Sequence, residues 1–471
     1  SGLYSTLGNS VKALAAHSRA IETAGKNLAN VNNPAYARQR VHYGDRGMVE
    51  TTLGVQGSGL EALAIQQLRD TLLDKQHMRE IALRSSFQAE QRSLERAQAG
   101  LGQNINRAGA ASGTGSNAAT GGLAAALDDY FNAFQGLAAR PTDSGERQTL
   151  IQKTAILTDS FRHTDARLAQ VQGDIDIEIS ADVADVNRLL ASIAELNGQI
   201  GRSEINQPRS AVDLRDQRQA RLEELAVKLP IEVRDTTDGQ VQVVLRDSAN
   251  SDVLLVDLAQ VVGGVAFTGT GLTAGSSATP VEFASGSIRG LLNARDGAVQ
   301  TLRDNLNQMA RQLVTSVNAA YNPTGAAAGD FFNAAGLSAG TIALASNVTA
   351  GNLRAGIGAA GDNSIALAIA GIATHAFSTN SGDIIDGTLG RFYSRAVSNL
   401  GQALASANAR SEDQANIANL IKAQREGVSG VSIDEEMADL VRFQRAFQAS
   451  SRVFAIVDEL LDTVVNRLGR A

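Results

Sequence analysis

The chain reads as mainly α with a small β insert: N- and C-terminal helices paired as a coiled coil, an elongated helical middle domain and a small β domain. Three observations predict this class. Near the start, Leu7, Leu14, Ile21 and Leu28 share one seven-residue register, with Tyr4 and Val11 on an offset one. Near the end, Ile433, Leu440, Phe447, Phe454, Leu461 and Leu468 repeat every seven residues without a break. From Pro230 to Ser285 the apolar period changes from helical to alternating. A heptad stripe makes a narrow apolar seam that is poorly stable alone, so each end calls for a partner helix. Charge favours pairing between the two ends. Residues 1–44 carry Lys12, Arg19, Lys26, Arg38 and Arg40 against Glu22, a net of +4, whereas residues 430–471 carry seven acidic and five basic side chains, a net of −2.

A chain of 471 residues exceeds what one core usually holds. We expect residues 1–44 with 427–471 to form a terminal coiled-coil domain, 45–230 with 286–426 a helical middle domain, and 231–285 a small β domain on the outside. Hydrophobic residues make up 43% of the chain, yet no apolar run is long enough to span a bilayer, so no membrane partner is expected. Aromatics are only 4% and there is no Trp, which favours helices packed through small residues over an aromatic-lined pocket. A net charge of −7 argues against nucleic acid, since phosphate binding needs a basic surface. The absence of cysteine excludes disulfides, a catalytic thiol and thiolate zinc. The amphipathic start has no uninterrupted apolar core of the kind a cleaved secretory signal needs, so the expectation is a cytoplasmic protein or one exported uncut.

The elements follow from local signals. Asn30-Val31-Asn32-Asn33-Pro34-Ala35-Tyr36 stops the first helix and forces a turn. The stretch to Gly59, with Gly44, Gly47, Gly54 and Gly57, reads as irregular or short extended structure. From Leu60 to Leu101, Leu68, Leu72, Ile81, Phe87 and Leu94 return at helical spacing and predict a second helix, followed by a Gly-, Ser- and Ala-rich loop from Gly102 to Gly122. A short helix around Leu123, Tyr130 and Phe134 stops before Pro141, and Asp143 with Glu146 predicts a capping box at the head of a long helix through Leu157, Leu168, Ile175, Val186, Ile193 and Ile200. A turn near Pro208 and a helix through Leu222 complete an antiparallel hairpin. Ile231 and Val233 alternate with polar residues, Asp238-Gly239 predicts a two-residue hairpin turn, and Val241, Val243 and Leu245 alternate beyond it. Helix resumes from Ile288 through Val317 until Asn322-Pro323. Residues 324–381 are Ala- and Gly-rich with only short apolar alternations. A last internal helix runs from Thr388 toward Ile421, and Gly427 and Gly430 separate it from the C-terminal heptads.

Signals for chemistry are weak, and no catalytic residue, cofactor or metal is expected. Gly336-Leu337-Ser338-Ala339-Gly340 has a nucleophile-elbow spacing, with Asp362 and His375 in hydrolase order, but its Ala/Gly-rich context leaves no room for the strand and helix that the elbow needs. Gly269-Thr270-Gly271 with Gly275 misses dinucleotide spacing and reads as a turn. His17, His42, His77, His163 and His375 are scattered without metal-ligand spacing. Asp434, Glu435 and Glu436 follow Ser432 at a helix start, where carboxylates face the positive end of the helix dipole and Ser432 with Glu435 forms a capping box. Arg442, Arg445 and Arg452 alternate with acids, as on a solvated or partner-facing surface.

Both ends resemble the axial proteins of the bacterial flagellum. Asn27-Leu28-Ala29-Asn30-Val31-Asn32-Asn33-Pro34-Ala35-Tyr36 is similar to that family's signature after its first helix, with Asn30, Asn33, Pro34 and Tyr36 as the motif positions. Asn33 and Ala35 depart from the usual Thr-Pro-Gly-Tyr. The run Val431 to Val453, with Asp434-Glu435-Glu436-Met437, is similar to the hook-associated members that join hook to filament, the second junction protein and the hook protein being alternatives within the family. The resemblance implies a non-enzymatic structural subunit of the extracellular flagellum, exported through the type III channel and polymerised through its terminal helices. Its implied partners are copies of itself, the hook protein, the second hook-filament junction protein, the cap protein during assembly and an export chaperone. The assembly interface would comprise Leu7, Val11, Leu14, Ile21, Leu28, Ile433, Leu440, Phe447, Phe454, Leu461 and Leu468. Ser18 and Gly25 interrupt the offset register, so the pair alone should be marginal and the free ends largely disordered.

Overall fold

The computed structural model describes residues 2–44, 48–51, 54–57, 59–101, 122–236, 238–248, 251–325, 329–359 and 361–468; the loop expected over 102–122 lies outside them apart from Gly122. The chain forms two compact units, one of residues 1–84, 182–286 and 414–471, the other of 85–181 and 287–413. The first unit therefore keeps the β insert together with the terminal segments.

Helix α1, Leu3–Ala29, opens the first unit. Strands β1, Gln39–Gly44, and β4, Glu61–Gln67, pair antiparallel with a bulge at His42/Tyr43, and β2, Met48–Thr51, pairs with β3, Gly54–Gly57. Residues 61–67 are thus strand, not the start of the second helix, which begins later as α2, Thr71–Gly100. Only Leu68 supported helix on that side. β1 supplies the backbone partners, and Asp70 sets the true start by accepting from the Leu72 and Leu73 N–H groups at 2.8 and 3.2 Å.

The long helix α4, Ser144–Glu204, and α5, Val212–Lys228, form the expected antiparallel hairpin, with Lys228 on Asp182 at one end and Arg215 on Glu204 at the other. At the head of α4, Asp143 Oδ1 caps Gly145 and Glu146 N–H at 2.7 and 3.1 Å, but the Glu146 carboxylate turns to Arg140, so the box is only half formed. The β insert is two antiparallel meanders. Strands β5, Ile231–Asp235, β6, Val241–Arg246, β7, Asp252–Asp257, and β8, Gln260–Val261, follow in order; β9, Val265–Phe267, β10, Leu272–Ala274, and β11, Thr279–Val281, make the second sheet. Pairing between β5 and β6 ends at Asp235 and Val241, and Thr236 N–H reaches Gln240 O, so the connection is longer than two residues. Gly239 takes φ 74° within it, which Gly allows at no steric cost. Two α4 amides pin the sheets: Asn197 donates to Val241 O and Leu258 O at 2.8 and 2.7 Å, and Asn187 brackets Val265 from both sides.

In the second unit α3, Leu123–Ala139, α7, Gln300–Tyr321, and α8, Ser364–Ile372, pack around a cluster of buried aromatics. Tyr130 lies 5.1 Å from both Phe131 and Phe134, and Phe331 lies 5.5 Å from Phe134 and 5.3 Å from Tyr321. Several of the sparse aromatics are therefore gathered here, and they give the Ala/Gly-rich stretch after Pro323 a place to pack. Asn318 holds it by donating to Phe332 O and accepting from Phe332 N–H at 3.0 and 2.8 Å. Helix α6, Ser287–Asn293, continues into α7 through a π segment, Ala294–Val299. Gln172 donates to Arg295 O at 3.1 Å and Asp176 holds the Arg295 guanidinium at 2.7 Å, which supplies partners outside the helix ladder where the turn widens. Helices α9, Leu389–Ser429, and α10, Ile433–Asp462, close the chain, with a π segment at Thr463–Leu468.

Phe134 is fully buried among these rings. Phe134→Ala should lower the stability of the second unit by roughly 3–5 kcal/mol, read from its urea transition.

Candidate functional site

The terminal segments meet in the first unit. α1 packs on α10 and on β1 and β4. The Asn27 amide near the end of α1 reaches Glu436 in the first turn of α10, so the two helices run antiparallel. The covered stripe on α10 is Glu436, Leu440, Phe443, Phe447, Ser450, Phe454, Val457 and Leu461, a heptad seam with the sequence-predicted Leu440, Phe447, Phe454 and Leu461 half-buried along it. Ile433 is 52% exposed, and the Leu468 side chain lies outside the described residues. On α1, Leu7, Leu14, Ile21 and Leu28 are half-buried along one edge of a broad covered arc, while Ala16, Ala20, Thr23 and Asn27 are buried along the other. Val11 stays 50% exposed.

What joins these ends is polar, and the heptads do not report it. Asn30 closes α1 through its own N–H and side chain on Lys26 O. Asn33 Oδ1 accepts from Ala35 N–H at 3.2 Å and Tyr36 N–H returns to Asn33 O, so the motif is a tight turn. Tyr36 then donates to Asn27 Oδ1 at 2.8 Å, an oxygen that also takes the Gln39 N–H at 2.9 Å. Burial, followed by Asp216, Asp213 and Glu436, raises the Tyr36 hydroxyl well above its ordinary range, which keeps it a donor. Next to it, Arg38 is held on three carboxylates of α10: Glu436 at 2.6 Å, Glu435, and Asp439 at 3.7 Å. The Arg38 and Glu436 side chains are only 8% and 3% exposed. The Arg38 backbone is fixed as well, its N–H on Ser429 O and its carbonyl on Leu68 N–H. Ser432 caps α10 by accepting from Glu435 N–H, as expected. The acidic run is thus both helix cap and ion-pair partner, and only the first role was evident in its local sequence.

A second charged layer lies beneath the motif turn. Arg69 bridges Asp74 and Asp216 at 3.1 and 2.7 Å and donates to Ala35 O; Arg425, from the end of α9, bridges Asp74 and Glu223 at 3.0 and 2.8 Å and donates to Pro34 O. Burial raises the Asp216 carboxyl to about 6 despite Arg69, and burial first, opposed by Glu223, lowers His77. The carbonyls of Pro34 and Ala35 and the N–H of Ala37 are therefore satisfied by side chains from three other elements. Asn27, Arg38, Arg69, Asp74, Asp216 and Arg425 were not singled out from sequence as site residues. Arg38 alone had a signal, as part of the basic excess expected to meet the acidic C-terminal end.

No hydrolase triad is assembled. Ser338 sits in a turn with its hydroxyl 2.7 Å from Thr341 Oγ1, Asp362 accepts from the Gly358 and Ser364 N–H groups, and the His375 ring packs on Phe377. Among the described residues no group of three or more His, Asp or Glu could hold a metal, and no helix is long and apolar enough to cross a membrane.

Residues 114–332 match the model of the flagellar hook-associated protein FlgK helical domain, and residues 427–468, which include the acidic run that holds Arg38, match that of the flagellar basal body rod FlgEFG protein C-terminal. The flagellar hook-associated protein 1 of Bacillus subtilis is 25% identical over 97% of each chain. The chain is thus similar to members of the flagellar hook-associated protein 1 family. Within that family, the Escherichia coli protein is 24% identical over 70% of this chain and 60% of its own length, and the Salmonella typhimurium protein 25% identical over 70% and 59%. A solved flagellar hook junction protein FlgK from Burkholderia pseudomallei aligns with TM-score 0.44 and 20% identity over 55% of this chain and 46% of its own, a likeness too slight to argue from.

Two measurements check this clasp, meaning Arg38 on the α10 carboxylates, the Asn27–Tyr36–Glu436 bonds and the charged layer beneath them. Arg38→Ala removes one member of a buried pair and should cost about 3–5 kcal/mol of local stability. It should appear as faster hydrogen exchange in the first turns of α10, and unchanged exchange there would contradict the role given to Arg38. For Asp216, the folded value of about 6 lies above the ordinary 3.8. Between these values the folded state holds a proton that the unfolded state has lost, so this group lowers stability as pH rises across the window. Asp216→Asn should flatten that fall in urea midpoint; His77 acts in the opposite sense as pH drops and is common to both proteins.

Proposed function

We propose that this chain is a structural subunit of the hook-filament junction, built into the flagellum through its antiparallel terminal helices. The family is one of structural flagellar proteins. The observation that carries the reading is an apolar ridge on α10 beside its covered seam. Val453, Ile456 and Leu460 are 47%, 60% and 48% exposed, one helical turn apart, and Val464 extends the row. Exposed apolar rows of this kind mark surfaces that another chain covers. In this reading the clasp sets the helix pair in one chain, and neighbouring copies bury Val11, Ile433 and the ridge. Residues 1–44 and 427–471 then form the inner tube and the rest of the chain its outer layers. The hook protein lies on one side, the second junction protein on the other, and the cap protein above during assembly, after export with a chaperone.

Ile456→Asp puts a charge on the ridge while leaving the seam and the clasp intact, so monomer stability should change by no more than about 0.5 kcal/mol. Cells relying on this variant should release folded subunit into the medium and bear hooks without filaments, counted by electron microscopy. Normal filament numbers would overturn the reading. Phe447→Asp, on the seam, should block assembly in the same assay.

A further inference from the structure

A cavity of about 1130 Å³ opens in the first unit between the α4–α5 turn and the β5–β6 hairpin, away from the clasp's contacts with α10. Its two sides differ in charge. On the turn side Glu204 is buried and fully engaged: Arg215 holds its two oxygens at 2.8 and 2.6 Å, and Ala211 N–H adds a third bond at 3.1 Å. Arg69, at the far wall, is taken by Asp74 and Asp216. Arg202 and Arg209 line the same cavity, and among the described residues no ion pair holds either of them. Behind the hairpin, Arg218 is 6% exposed and rests its Nη1 on two neutral acceptors, Asn197 Oδ1 at 2.8 Å and Gly239 O at 2.9 Å. Asp235 and Asp238 stand on the hairpin rim, Asp235 facing Lys75 at 3.8 Å. The turn side thus presents two free guanidinium groups, with a buried cation set behind the opposite wall.

The backbone points to the same place. Of the three described non-glycine residues with positive φ, Arg209 at 66° lines the cavity and Leu258 at 52° precedes Ala259, which also lines it. Such conformations are uncommon outside glycine and occur in tight turns as well as at ligand clamps; at Arg209 the backbone N–H is held by Glu204, which leaves its side chain in the cavity wall. Ile205, 75% exposed, stands at the mouth, with Pro208, Val212 and Ala259 as further apolar lining. Planar guanidinium forks suit carboxylates taken two oxygens at a time. The volume exceeds what a single small anion fills, and the apolar lining has a use only if the ligand brings apolar side chains beside its charges.

We propose that this cavity is a docking site for an acidic peptide segment of a partner protein, its carboxylates on Arg202 and Arg209 and an apolar side chain against Ile205 and Ala259. The test is fluorescence anisotropy of the full chain with a labelled peptide of alternating Glu and Leu, its Lys-for-Glu counterpart, and citrate as competitor. The Glu peptide should bind and weaken with salt, the Lys peptide should not bind, and citrate should fail to displace. Arg202→Glu with Arg209→Glu should weaken binding at least about tenfold, the loss of roughly two charge-assisted contacts. Arg209→Gly, which takes the left-handed conformation freely, should weaken binding while keeping or raising the melting temperature, separating lost binding from lost folding. Absence of Glu-peptide binding, undiminished binding by the charge-reversed variant, or displacement by citrate would each overturn the proposal, the last by marking a small-anion site.

Discussion

Arg38 cannot be buried unless carboxylates come with it. A guanidinium taken out of water costs far more than any one contact returns, so the chain around it is arranged to supply Glu435, Glu436 and Asp439 from α10, together with Ser429 O and Leu68 N–H for its backbone. That requirement fixes the start of α10 against the end of α1 and the antiparallel sense of the pair. It also explains why two seams that are for the most part only half-buried can be held in register within one chain. The apolar stripe gives area, and the buried charge gives the position.

The second charged layer extends the same logic to the rest of the first unit. Arg69 and Arg425 reach the motif turn from β4–α2 and from α9, and their carboxylate partners sit on α2 and α5. A turn whose carbonyls face inward would be costly if left dry; here each is met by a guanidinium. Asn33, Pro34 and Ala35 are thus shaped by what receives them as much as by their own turn preference. The second unit relies on a different device, a compact aromatic cluster around Tyr130 and Phe331.

Exposed apolar side chains on α10 follow from this division of labour. If the clasp already orients the helix pair, the seam need not be wide, and Val453, Ile456 and Leu460 are left exposed. The cavity beside the β5–β6 hairpin shares Arg69 with the second charged layer, whereas Arg202 and Arg209, which also line it, take no part in the clasp.

Periodicity by itself determined the fold class, the long α4, the α4–α5 hairpin, the β insert and the identity of Leu440, Phe447, Phe454 and Leu461 as seam positions, because those features repeat locally and need no distant partner to be seen. Asp143 and Ser432 were legible as caps for the same reason. Tertiary structure alone decided that residues 61–67 are strand, since β1 is what completes them. It alone decided that Tyr130, Phe134 and Tyr321 converge around the Ala/Gly-rich stretch after Pro323, and that Gln172 meets a widened turn at Arg295. It decided the clasp as well: Asn27 and Glu436 lie 409 positions apart in the chain. A buried hydrogen bond between such residues leaves no mark on the spacing around either, because its free energy comes from removing both from water together.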